Sequence, residues 1–187
     1  MRNHTSVREI AFATTTRLIV ATFLLSFPLL AQYSTQPEQQ EIPPALQPPV
    51  DEKLILQLHG TGDQIYSCKS EGGLFRWTLK APDAQLSDIK GQPFGKHFTG
   101  PTWQSNDGSR VTGKLAATVD SPDADSIPWL LLKVVTRTGN GVISRATSIQ
   151  RLHTQGGKAP SDGCDSDHVN QEVRVAYSAD YLFYAPK

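Results

Sequence analysis

From Asp51 onward the chain alternates apolar and polar positions with period two. Leu54, Leu56 and Leu58 share one face of Lys53–His59. The turn Gly60-Thr61-Gly62-Asp63 separates them from a second short run, Gln64–Cys68. After Glu71-Gly72-Gly73, Phe75, Trp77 and Leu79 alternate with Arg76, Thr78 and Lys80. This is the pattern of a strand with one buried and one wet face. Ala81–Lys90 is the one stretch that predicts a short helix, with Pro82 in its first turn and Gly91 at its end.

The second half repeats the strand grammar. Thr102-Trp103-Gln104, the turn Asn106-Asp107-Gly108 and Arg110–Val119 predict a hairpin. Ile127–Thr136 is a continuous apolar run and predicts a strand buried on both faces. Gly139-Asn140-Gly141 leads into a strand over Val142–Arg151, and Gln155–His168 reads as a Gly/Asp-rich loop. Two short strands, Glu172–Tyr177 and Tyr181–Ala185, close the chain. About nine strands with at most one short helix predict an all-β fold: a single antiparallel β-sandwich or barrel.

The first 50 residues follow other rules. Arg2, Arg8 and Arg17 precede the uncharged run Leu18–Leu30, and Ala31 follows it. That is the order of a cleaved secretory signal, assigned to residues 1–31. The apolar run has 13 residues and contains Pro28, whereas a membrane-spanning helix needs ~20. Gln32–Val50 holds five prolines and five glutamines and predicts a disordered spacer before a β-rich domain over 51–187. Export, to the periplasm or outside the cell, makes Cys68 and Cys164 a disulfide candidate, because an isolated pair in an oxidising compartment is expected to be bonded.

Charge narrows the function classes. The chain has 18 basic and 18 acidic residues; removing three arginines and one glutamate with the first 31 leaves 15 against 17. This balance predicts no nucleic-acid partner, which requires a clustered basic face. No cofactor motif is present, and Gly-x-Ser-x-Gly is absent. His59, His97, His153 and His168 lack ligand-pair spacing, and the Asp162–His168 loop departs from calcium-loop spacing, so no metal site is assigned. The segment from Gly95 to Trp103 combines a histidine, Gly-Pro and an aromatic, with Asp107 and Arg110 close behind. These four residues, His97, Trp103, Asp107 and Arg110, form the candidate ligand site. The first reading is a binding or structural module at the cell envelope or outside the cell, with a glycan or an envelope protein as partner. The alternative is a secreted hydrolase or isomerase using His97 with Asp107 or Arg110.

Several short runs occur in a fixed order: Gln64-Ile65-Tyr66-x-Cys68, His97-x-x-Gly100-Pro101-Thr102-Trp103, Asp107-Gly108-Ser109, Ile127-Pro128-Trp129-Leu130-Leu131, Ile149-Gln150-Arg151, Thr154-x-Gly156-Gly157, Gly163-Cys164 and Tyr177-Ser178-Ala179-x-Tyr181-x-Phe183-Tyr184. With them the chain resembles the domain of unknown function 3455 family of exported bacterial and fungal proteins, over about Leu54 to Tyr184. The resemblance implies a secreted β-rich domain that carries both cysteines.

Overall fold

The computed structural model describes residues 41–187. The region read as a signal peptide, and the spacer up to Gln40, lie outside the described residues. Eight strands follow in order: β1 Glu52–Glu71, β2 Leu74–Asp88, β3 Pro93–Phe98, β4 Thr102–Ser105, β5 Arg110–Val119, β6 Trp129–Thr138, β7 Ser148–Gly156 and β8 Glu172–Pro186. Each pairs antiparallel with the next, and β1 pairs with β8, so the sheet closes into a barrel. The all-β expectation holds, in its barrel form. The only helical pieces among the described residues are two 3-10 turns, Pro44–Leu46 and Val142–Arg145.

Strand boundaries differ from those predicted, for identifiable reasons. Gly60-Thr61-Gly62-Asp63 is no turn: β1 runs straight through it. A Cβ on Gly60 would stand 2.7 Å from the Tyr181 ring, so this position lacks a side chain because the opposing aromatic occupies the space. Ala81–Lys90 is not a helix. Its residues up to Asp88 form the second part of β2, where Ala84 and Leu86 alternate inward and pair with both β1 and β3. Neighbours on two sides override a short local helix signal. The two C-terminal strands are likewise one, β8. Val142–Arg145 is a 3-10 turn, so β7 starts only at Ser148. A register shift between Leu54 and Leu56 turns Leu54 outward, 48% exposed, and lets Ile55 pack on the core.

The interior is apolar. Leu58, Leu86, Trp103, Val111, Ile149, Tyr181 and Phe183 are among its buried residues. The outer face carries Asp63, Lys133, Arg174 and Asp180, the reverse of a lipid-facing barrel. The alternation is locally suspended on β5–β8, where the outer face is apolar too. There Trp129, Leu131 and Leu152 form a second cluster, and Leu46 covers it with Ile42. Gln150 Nε2 donates to the Leu46 carbonyl oxygen at 2.6 Å. Residues 42–47 therefore do not behave as disordered spacer. Proline prevents them from joining the sheet, and their two apolar side chains still bury against it. Ile127–Thr136 is covered on both faces only up to Leu132; Val135 is exposed.

Along β2, β3 pairs only with Ala84–Ser87, so the β1–β2 ribbon projects beyond the barrel wall at its Glu71/Leu74 end. Phe75 and Leu79, expected on a buried face, are for that reason largely exposed. The ribbon is tied down from the other side. Cys68 bonds Cys164 in the 157–171 loop with Cα atoms 5.4 Å apart, and Trp77 Nε1 donates to the Asp162 carbonyl oxygen.

Candidate functional site

One cavity of about 330 Å³ opens beside the projecting ribbon. Its rim is formed by Leu79–Pro82 of β2 and by Gly100-Pro101, the turn between β3 and β4. Its inner wall comes from inward positions of four strands: His97 of β3, Trp103 of β4, Arg151 of β7 and Tyr181 of β8. The volume lies at the lower end of the ~300–1,000 Å³ common for small-molecule sites. Eight strands enclose an interior that side chains can just fill or that can hold one small ligand.

His97 and Trp103 face each other in the β3–β4 register and stack with ring centroids 4.3 Å apart and 13° between planes. Tyr181 meets Trp103 edge-on at 5.5 Å and His97 at 5.1 Å. Room for the indole comes from Gly113 of β5, where a Cβ would stand 3.2 Å from it. His97 Nδ1 lies 2.9 Å from the Thr102 carbonyl oxygen. A carbonyl only accepts, so Nδ1 carries the hydrogen and Nε2 is left with a lone pair. Burial, opposed by the Thr102 hydrogen bond and aided by the Arg151 charge, pushes the imidazole down to about 3. His97 is thus a neutral imidazole across the physiological range.

Arg151 is the cation of this interior. Its Nε and Nη2 donate to the Pro128 carbonyl oxygen at 3.2 and 2.9 Å. Burial lowers its pKa, and the groups acting in the other direction are the phenols of Tyr181, Tyr177 and Tyr66, not a carboxylate. Those phenols are neutral: burial raises each of them above the ordinary tyrosine value. Tyr66 donates to the Gly157 carbonyl oxygen at 2.6 Å, and the hydroxyls of Tyr177 and Tyr181 are 3.1 Å apart. Among the described residues, no aspartate or glutamate lines the cavity. Lys80 at the rim is already paired with Glu172. Two of the lining residues also hold a buried donor without a partner, Gln64 Nε2 and Trp103 Nε1. Leaving such a donor unpaired costs ~1–3 kcal/mol.

Of the four residues singled out from sequence, the structure brings His97 and Trp103 together and leaves Asp107 and Arg110 apart from them. Asp107 sits in the β4–β5 turn. Its Oδ1 accepts from the backbone N–H and Oγ of Ser109 at 2.8 and 2.5 Å, which holds the carboxyl below the usual range. Arg110 is exposed, and its Nε donates to Thr138 Oγ1. Neither lines the cavity. The remaining histidines also scatter. His59 and His153 donate to the two carboxylate oxygens of Asp180 at 2.9 and 3.0 Å on the outer face, and His168 pairs with Asp165. Among the described residues, no group of three His, Cys, Asp or Glu side chains is placed to hold a metal ion. Arg151, Tyr181 and Gln64 are the site residues the sequence reading missed. Arg151 shares parity with Ile149 on β7, and a charge two residues on from an inward isoleucine was the available signal.

A family model described as "Protein of unknown function (DUF3455)" matches residues 49–185, which span the whole barrel. No curated protein and no solved structure matches the chain.

Proposed function

The chain belongs to the DUF3455 family, and on that premise we propose that it is a binding module whose barrel interior takes up one small, largely apolar molecule. One observation carries this reading: a cavity of about 330 Å³ walled by His97, Trp103 and Tyr181 and open at Leu79–Pro82. Leu130, Leu132, Pro82 and Pro101 supply apolar lining, and a few polar groups converge among them, which is the usual constitution of a small-molecule pocket. Export to an oxidising compartment belongs to the same proposal. It draws on the Cys68–Cys164 bond and on the signal-like order of residues 1–31.

The test is a fragment screen read as the shift in thermal unfolding midpoint, run on the wild type and on Leu130→Trp, which places an indole in the cavity. Fragments that raise the wild-type midpoint should fail to raise that of the filled variant. Finding no stabilising fragment, or finding that the same fragments stabilise both proteins, overturns the assignment.

A further inference from the structure

We propose that the molecule held in this barrel is an organic acid whose single negative charge is received by Arg151, a claim that rests on the small-molecule reading above. The argument is one of charge balance. A guanidinium cannot be neutralised by losing its proton in a protein, so a half-buried one such as Arg151 is stabilised by an opposite charge or by further hydrogen bonds. The protein gives Arg151 only neutral acceptors, the Pro128 carbonyl oxygen, shared between Nε and Nη2, and the Tyr181 hydroxyl. Among the described residues, no carboxylate lines the cavity. The other titratable groups of the inner wall cannot supply an anion: His97 is neutral, and the phenol of Tyr181 is held protonated by burial. Lys80 already has Glu172.

The uncompensated charge is therefore a single positive one, and a monoanion cancels it. A dianion such as a phosphate monoester would leave net negative charge in an apolar interior, which is costly. The rest of the lining fixes the remainder of the ligand. Leu130, Leu132 and Pro101 suit a short apolar body, and His97 Nε2 offers one acceptor for a hydroxyl or amide donor. A carboxylate on a small apolar or aromatic body meets all of these terms.

The experiment compares 3-phenylpropionate with its uncharged amide, and with phenyl phosphate, by calorimetric titration near neutral pH. Wild type, Arg151→Met and Arg151→Lys are measured. The acid should bind wild type roughly ten- to a hundred-fold more tightly than the amide, the range expected for a charged hydrogen-bond pair. That preference should vanish in Arg151→Met, survive in part in Arg151→Lys, and exceed the affinity for phenyl phosphate. If acid and amide bind wild type equally, and Leu130→Trp abolishes both, the anion claim is overturned while the binding site stands. If phenyl phosphate binds most tightly, the monoanion argument is overturned. If Leu130→Trp leaves acid binding intact, the ligand is not in this cavity and both claims fall. Should Arg151→Met not fold, the acid-to-amide ratio on wild type and Arg151→Lys still decides.

Discussion

Replacing His97 by asparagine should flatten the acid side of the protein's stability profile. The native imidazole is held down to about 3 by burial, whereas an unfolded histidine titrates near ~6.5. The sign follows from proton counting. Above ~6.5 both states are neutral at this residue and pH has no leverage. Below it the unfolded chain takes up a proton that the native barrel refuses, so stability falls as pH falls. The slope for one proton is about 1.36 kcal/mol per pH unit. Over the full interval of about 3.5 units the loss approaches 4–5 kcal/mol, a large part of the ~5–15 kcal/mol that stabilises a typical domain. Asparagine keeps a donor in place of Nδ1–H for the Thr102 carbonyl and removes the titration. It also loses the stacking on Trp103, so the variant starts out less stable. Urea unfolding from about pH 7.5 to about pH 4.5 should show the gap between wild type and His97→Asn shrinking by ~2–3 kcal/mol. The exposed His59, His153 and His168 are the same in both proteins and drop out of the difference. A gap that stays constant with pH refutes the reasoning, as does an NMR titration that finds the His97 ring protonating near its ordinary value.

Reducing the Cys68–Cys164 bond releases a segment of 96 residues; by the chain-entropy estimate it should cost up to ~4–5 kcal/mol, read as a lower urea midpoint in reductant. A shift under ~1 kcal/mol would mean that the unfolded chain is already restrained there. Leu46→Ala should cost ~2–5 kcal/mol although it lies outside the barrel strands, because its side chain is fully buried; an unchanged midpoint would mean the 42–47 segment does not hold the sheet. Gly60→Ala puts a methyl 2.7 Å from the Tyr181 ring and should cost ~1–3 kcal/mol, with a changed near-UV signal from the Trp103–Tyr181 contact. A fully native spectrum would contradict the claim that this glycine exists to seat the ring.

The strands were legible because alternation is a local property, and each strand of this barrel has one face inside. What alternation could not show is where one strand stops. Gly60 and Gly62 have the composition of a turn, yet they stand inside β1, where Tyr181 of β8 and Ala84 of β2 crowd them from the neighbouring strands. That cause lies far away in the sequence. The same limit applied to the site. His97 and Trp103 drew attention as members of one short segment, Gly95–Trp103; they are in fact opposed residues of two paired strands. Asp107 and Arg110 are near them in sequence, but Val111 takes the inward position and Arg110 the outward one. Arg151 comes from β7 and Tyr181 from β8, and only closure of the sheet brings them to His97. Leu46 shows the converse: its proline-rich surroundings read as spacer, and one buried leucine is too small a signal to stand against them.

The pairing of β1 with β8 also sets an order of events. Glu52 lies against Pro186, and the register continues to Ser67 against Glu172. β1 therefore has no permanent neighbour on that side until β8 has been made. A ribosome handles an open sheet, with β1 as an unprotected edge, while β2 to β7 are being added. Contacts this distant along the chain form slowly. The arrival of β8, rather than the emergence of any earlier strand, is the moment at which the sheet first encloses an interior.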